Sequence, residues 1–365
     1  MQLSKSHRPP QSKKLAGKKK DLLLKSHRRP TIFDLVDYIG MSRGTISRAF
    51  NNQAGISIKT REMVLKAAAE IGYTPHNGAR LLKLRRTRRW GLLLPYLHNP
   101  HYPELVEALS HEARKRRTTL LLGLSNYETA HEAEIIKQWV SGETDGIILD
   151  QGHYPANAKL FQQLAERGVP VLFLHGQHGQ AIPDFDFVCY DLHDNFLILL
   201  NHLDALGHEK IGYVGQNFPF CRNTVRFRAY LEFHQIKGRE IDERYIYFGG
   251  EDAAQCGNNA WRAWQNAPDR PTAVACFDDI IACGLIHAVR STGGDVPEDL
   301  SVAGVDDIAE AVRLGLTTIR TDRVQTANEI LDLLEKRLES PARPPETKLI
   351  PSALVVRGSI GRPRT

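Results

Sequence analysis

From Trp90 onward the chain alternates short apolar runs with longer amphipathic stretches, and this alternation limits the fold more than any other feature. "WGLLLPYL", "TTLLLGLS", "DGIILD", "VPVLFLH", "FVCYD", "KIGYVG", "TAVACFD" and "LSVAGVD" are strand candidates, with helical patterns between them. Alternation of this kind builds parallel sheets covered by helices on both faces. Eight such runs over roughly 275 residues suit two doubly wound lobes better than one. "LTTIRTD" and "LIPSALVVRGS" add strand-like segments near the end. The fold class read from this pattern is α/β, two lobes of doubly wound parallel sheet, with a small all-α region ahead of them.

Charge divides the chain the same way. Of 48 Lys and Arg and 42 Asp and Glu, residues 1–30 hold ten basic groups against Asp21 alone, and residues 31–89 hold eleven against four acids. The first 89 residues carry about +16 and the remainder about −10. A basic leading quarter ahead of an acidic body is expected when only the front meets a polyanion. Nucleic acid is the first candidate and an anionic membrane the second. No apolar run reaches the roughly 18 to 20 residues that span a bilayer, and the basic N-terminus lacks the apolar core of a secretory signal, which places the protein in the cytosol, near the nucleoid. Cys189, Cys221, Cys256, Cys276 and Cys283 form no CxxC pair and have no His at zinc-ligand spacing, so neither disulfide, metal nor cofactor is expected.

Residues 1–30 read as a disordered basic tail, either a solvated extension or a sequence-independent attraction to phosphates. Order begins at Thr31, which can cap a helix carrying Ile32, Leu35, Val36 and Ile39 at i, i+3, i+4, i+7 spacing until Gly40 ends it. Ser42 can cap a second helix, Arg43 to Phe50, with Ile46, Ala49 and Phe50 inward. Ser57 opens a third through Met63, Val64, Ala67, Ala68 and Ile71, closed by Gly72. The short Gly-containing turn between the first two is the connection a helix-turn-helix requires. In that arrangement the second helix lies in the major groove, where Arg can bond guanine bidentately and Ser, Thr and Asn can bond bases or phosphates. Arg43, Gly44, Thr45, Ser47, Arg48 and Asn51 are therefore candidate DNA-binding residues of a domain spanning 31–76, and the two cap residues Thr31 and Ser42 are counted as candidates beside them. "NGARLLKLRRTRR" follows as a basic connector, residues 77–89, leading into a body of residues 90–365.

"TIFDLVDYIGMSRGTISRAFNN", "SIKTREMVLKAAAEIGYTP" and "GARLLKLRRTRRWGLLLP", in this order and spacing, resemble the head of the lactose-repressor family of bacterial transcriptional regulators. The likeness continues through "NPHYPELVEAL", "LGHEKIGYVG", "PTAVACFDDIIACGLIHAV", "VPEDLSVAGVDD" and "LVVRGS", covering about residues 30 to 360. The resemblance implies a homodimeric repressor with a DNA-reading headpiece, a hinge helix and a two-lobed regulatory domain of the periplasmic-binding-protein type. Arg43 and Gly44 fall on the residues that choose operator bases, and Gly44 departs from the usual longer side chain, leaving most direct readout to Arg43. Leu82 matches the hinge leucine that wedges into the central base step of the minor groove, or else packs the hinge; Ala79 and Arg80 match its neighbours. Gly78 weakens a helix by up to about 1 kcal/mol, in keeping with a hinge that folds on DNA.

The same resemblance assigns the small-molecule site. Asp279 matches the family's effector-binding aspartate, and Asp278 replaces the asparagine usually beside it, altering the pocket or capping the next helix. Arg226, in "CRNTVRFRAYLEF", matches the arginine that holds the effector from the other lobe; Arg222 either assists it or is a surface group. Tyr102 and Asp191 match pocket-lining positions, or serve packing and capping. An Asp paired with an Arg across a cleft suits vicinal hydroxyls, so a sugar or sugar derivative is favoured, with a nucleobase or an acidic sugar open.

No catalytic residue is assigned, because the chain lacks GxSxG, HExxH, a Walker loop and GxGxxG. The His of "GHEK" reads as structural. A solute-binding protein of the same two-lobed fold is the competing reading, since fold alone does not settle function. The function expected is sequence-specific, effector-controlled transcriptional regulation on a near-palindromic operator.

Overall fold

The computed structural model describes residues 28, 30–50, 54–74, 86–150, 154–174, 184–216, 221–249 and 252–364. They form two compact units, one within residues 1–86 and the other within 87–365.

The first unit holds α1 (Ile32–Ile39), α2 (Arg43–Phe50) and α3 (Ile58–Ile71). Thr31 and Asp34 make a reciprocal capping box at the start of α1, and Gly40 ends it with φ +70°, a conformation that costs glycine little. Ser42 Oγ accepts from Thr45 N at 3.2 Å, and Ser57 Oγ from Thr60 N at 3.1 Å, so both later helices begin on a hydroxyl cap. Leu35, Ile46, Ala49 and Val64 are fully buried and share one core with Ala67, Ala68, Ile71 and Tyr73. Met63, expected inward, is 46 % exposed: it precedes Val64 on the helix and the core already receives Val64.

The second unit contains two six-stranded sheets, in the orders β11-β5-β4-β3-β1-β2 and β12-β10-β9-β8-β6-β7. The first sheet comprises β1 (Arg89–Leu94), β2 (Thr119–Leu124), β3 (Gly146–Asp150), β4 (Val171–Leu174), β5 (Asp186–Tyr190) and β11 (Thr347–Ile350), every pair parallel. The second comprises β6 (Ile211–Gln216), β7 (Ile246–Gly249), β8 (Ala273–Cys276), β9 (Ser301–Val305), β10 (Thr317–Thr321) and β12 (Ser352–Val355), antiparallel only at β10 with β12. Helices α4 (His101–Lys115) and α12 (Arg323–Glu339) cover one face of the first sheet; α5 (Thr129–Val140) and α6 (Tyr154–Glu166) cover the other. The second sheet packs α7 (Leu192–Ala205) and α8 (Val225–Ile236) on one face, and α9 (Ala253–Trp264) and α10 (Asp279–Ser291) on the other; α11 (Ala309–Leu314) follows β9. The chain crosses between lobes after β5, after β10 and after β11, so each lobe is built from separated segments.

Two local devices matter for the site. Where the chain enters this unit, Asp145 accepts from Thr87 N, from Thr87 Oγ1 at 2.8 Å and from Arg88 N at 2.7 Å, fixing the last residues of the connector, which the sequence pattern carries to Arg89. The α9–α10 crossing is close enough that a Cβ on Gly284 would stand 2.2 Å from Ala254 O, and one on Gly257 2.2 Å from Ile281 O.

Candidate functional site

In the first unit, α2 turns Ile46 and Ala49 inward and leaves Ser42, Arg43, Gly44, Ser47 and Arg48 exposed, with Thr45 partly covered. Arg48 Nε reaches back to Gly44 O at 3.4 Å. The Arg43 guanidinium stands 5.8 Å from the ring centre of Phe33, which is 64 % exposed on α1. Exposure of so large a ring beside a charged helix face is a feature the sequence reading passed over; its cue was an aromatic outside the i, i+3, i+4 stripe of α1. Thr31 stays committed to its cap. Asn51, Ala79, Arg80 and Leu82 lie outside the described residues.

In the second unit the strand ends converge. In doubly wound sheets ligands bind beyond the C-terminal ends of strands where the order reverses. That place falls between β1 and β3 in one lobe and between β6 and β8 in the other. Asp150 closes β3, Asp278 follows β8 and Asp306 follows β9; they are 6, 2 and 5 % exposed. Asn99, just before α4, reaches from one lobe to the other: its Nδ2 lies 3.4 Å from Asp278 Oδ2 and 3.5 Å from Asp306 Oδ2. His101 Nδ1 is 3.8 Å from Asp306 Oδ1, and Arg323 Nη2 donates to Asp306 O at 2.7 Å while pairing with Glu104 at 2.9 Å. Asp306 has φ +117°. A non-glycine residue there costs about 1–3 kcal/mol and persists where surroundings hold it, a pattern concentrated at functional sites.

Arg226, on α8, donates through Nη1 to Phe277 O at 2.6 Å, lies over the Phe277 ring at 4.7 Å, and brings Nη2 to 3.6 Å from Asp306 Oδ1. It therefore belongs to the same lobe as Asp278, Asp279 and Asp306, which corrects the expectation of an Arg facing Asp279 from opposite sides. Asp279 is corrected as well. It is fully buried, its Oδ2 accepting from Ile308 N at 3.0 Å and its Oδ1 from Thr318 Oγ1 at 2.6 Å. Both oxygens knit α10 to the β9 and β10 ends, and the carboxylates beside Arg226 are Asp306 and Asp278. Sequence reasoning noticed Asp278 but missed Asp306; the cue was that "TAVACFDD" and "LSVAGVDD" end neighbouring parallel strands with the same Asp-Asp step.

The remaining assignments divide. Tyr102 is buried in the crevice wall, edge-on to Tyr96 at 5.2 Å and hydrogen-bonded to Asp150. Asp191 caps α7 by accepting from Asp194 N at 3.0 Å. Arg222 is 58 % exposed, stacked over Phe248 at 4.8 Å and 3.8 Å from Glu243, away from the carboxylates. His208 of "GHEK" is buried between Thr272 Oγ1 at 2.9 Å and Gly361 O at 2.8 Å, a framework role.

Burial and the neighbouring Asp306 charge push the Asp278 carboxyl up to about 7. From about pH 4 to pH 7 the folded chain therefore keeps a proton that the unfolded chain releases, so this group makes stability fall as pH rises through that window. Asp278→Asn should shallow that decline, read as denaturation midpoints at pH 5 and pH 7.5; an unchanged slope would remove Asp278 as its source. Burial likewise raises the hydroxyls of Tyr96 and Tyr127, the latter to about 12, keeping both neutral.

Comparison with known proteins agrees with both units. The model described as bacterial regulatory proteins, lacI family, matches residues 31–76, and that of the periplasmic binding protein-like domain matches residues 200–360. The HTH-type transcriptional repressor CytR of Escherichia coli (strain K12) is 27 % identical over 333 residues, covering 90 % of this chain and 96 % of the relative. The lac repressor dimer bound to operator and the anti-inducer ONPF aligns with a TM-score of 0.76 at 23 % identity, over 91 % of this chain and 99 % of that one, which speaks to fold. The transcriptional regulator CelR in complex with cellobiose aligns at 0.65 and 25 % identity, over 91 % of this chain and all of the other. The chain thus carries the helix-turn-helix domain of the lacI family of bacterial regulatory proteins, followed by a periplasmic binding protein-like domain.

Proposed function

We propose that this chain is a sequence-specific DNA-binding repressor whose operator affinity is set by a small molecule held between the two lobes. The observation that carries the reading is the second helix of the headpiece, whose apolar side is sealed in the core while Ser42, Arg43, Gly44, Ser47 and Arg48 are presented outward. Arg43, Thr45, Ser47, Arg48 and Asn51 touch the operator, and Arg43 reads a base edge. The part of the connector ahead of Thr87 acts as a hinge that orders on DNA, with Leu82 at the central step. Two copies bind a near-palindromic site with a step that unstacks easily, such as CG or TA. The effector sits among Tyr102, Arg226, Asp278 and Asp306, and lobe closure around it biases the hinges. A carbohydrate-sized ligand is favoured, the similar regulator CelR having been solved as a complex with cellobiose. The protein acts in the cytoplasm and has no catalytic role.

Selection of bound duplexes from a random pool tests this. The wild type should enrich one near-palindromic site, and Arg43→Ala should weaken preference at one position of each half-site by about 1–3 kcal/mol while leaving the rest of the motif intact. Enrichment of no site, or an identical motif from the variant, would defeat the assignment.

A further inference from the structure

The crevice holds an imbalance of charge that bears on the chemistry of its ligand. Asp278 and Asp306 face one another from neighbouring strand ends, and Asp150 closes the strand opposite. Against them stand two guanidinium groups, each already engaged. Arg323 gives Nη2 to Asp306 O and Glu104, its buried Nε having no hydrogen-bond partner, and Arg226 gives Nη1 to Phe277 O and holds Nη2 3.6 Å from Asp306 Oδ1. Asp278 Oδ1 caps α10 by accepting from Ile281 N at 2.9 Å, which leaves Oδ2 directed at the Asn99 amide.

The Asn99 side chain shows what fits there. Its NH2 group lies between Asp278 Oδ2 and Asp306 Oδ2 at 3.4 and 3.5 Å, a donor shared by two acceptors at the outer edge of bonding distance. An independent sign of a missing partner is His101, only 7 % exposed, whose Nδ1 has no hydrogen-bond partner and lies 3.8 Å from Asp306 Oδ1. A buried polar atom without a partner is uncommon in a finished core. Rings line the space around these groups. Tyr96 stacks on His98 with centroids 3.8 Å apart, and Tyr127 leans on Tyr96 at 5.6 Å. Aromatic faces accommodate the C–H face of a sugar or the plane of a base.

We infer that the effector is a sugar-sized ring or nucleoside carrying an amino group, and that this group takes the place of the Asn99 amide between Asp278 and Asp306. The inference rests on the reading of the crevice as the effector site. An amine supplies donors to both carboxylates and, when protonated, offsets their charge. A phosphorylated or acidic ring would instead bring another negative charge against two buried carboxylates, which is disfavoured.

The test is calorimetric titration of the full chain with matched pairs: glucosamine and glucose, galactosamine and galactose, cytidine and uridine, adenosine and inosine, with glucose 6-phosphate alongside. At least one amine should bind at least about tenfold more tightly than its partner, and Asp278→Asn should bring that ratio close to one, whatever it does to the affinity of both members of the pair. The hexosamine and nucleoside arms separate the two sources of the amine. Equal binding within every pair, tighter binding of the phosphate, or binding by no amine would overturn the inference. Arg226→Ala tells this apart from failure of the site itself. Ligands weakened by Arg226→Ala but blind to the amine leave the crevice in place and remove the amine, whereas ligands that Arg226→Ala does not affect remove the crevice reading.

Discussion

Asp186→Ala is expected to lower the unfolding free energy by about 3–5 kcal/mol, because it strips the common partner from two nearly buried arginines. Asp186 begins β5 and is 2 % exposed. Its Oδ2 and Oδ1 accept from Arg337 Nε and Nη2, both at 2.9 Å; Arg343 Nη2 lies 2.8 Å away, and Glu346 N donates to Oδ1 at 2.9 Å. The arginine side chains are 13 and 16 % exposed, so solvent cannot readily replace the lost carboxylate. Arg337 belongs to α12 and Glu346 precedes β11, segments that rejoin this lobe only after the chain has visited the other one. One carboxylate thus pins the returning chain to β5. Chemical denaturation of the full chain measures the loss; a change under about 1 kcal/mol would class the cluster with exposed ion pairs.

Gly284→Val is expected to destabilise by about 3 kcal/mol or more, as an overpacking change that no rotamer can relieve. The added Cβ would meet main-chain atoms, Ala254 O at 2.2 Å and Ala254 C at 2.9 Å, so α9 and α10 would have to part. Parting them opens a core in which Cys256, Ala260, Ile281, Ala282 and Leu285 are all fully buried. Gly358→Ala is the control, since a Cβ there meets nothing within 4 Å. Thermal unfolding of both variants decides the matter: similar melting points would mean that the two helices tolerate separation.

How far the sequence could be read followed from how local each signal was. The eight apolar runs are all strands, β1 to β6, β8 and β9, because hydrophobic runs bounded by turns depend only on neighbouring residues. "IYFG", strand β7, escaped because it is a half-exposed edge strand of only four residues. The caps Thr31, Ser42 and Ser57 were legible for the same local reason, as was the exposed face of α2. The crevice was not. Whether Asp278, Asp279 or Asp306 faces the ligand turns on a one-residue difference at a strand end and on which strands are neighbours, and neither is written in periodicity. Asp279 sits one position into α10, and that single step sends its carboxylate down to Thr318 and Ile308 N rather than out toward Arg226. Asn99 and His101 were invisible because their partners are about 180 to 207 positions away in the chain.

The threefold passage of the chain between lobes also governs how the molecule comes into being on the ribosome. The headpiece has every residue of its core by Tyr73, whereas the first lobe waits for α12 and β11 and the second for β12, all within the final 45 or so residues. During synthesis a finished headpiece therefore trails two incomplete lobes for most of the time the chain is being made. A message broken late would release a polypeptide with an intact DNA-facing unit and no closed crevice to govern it.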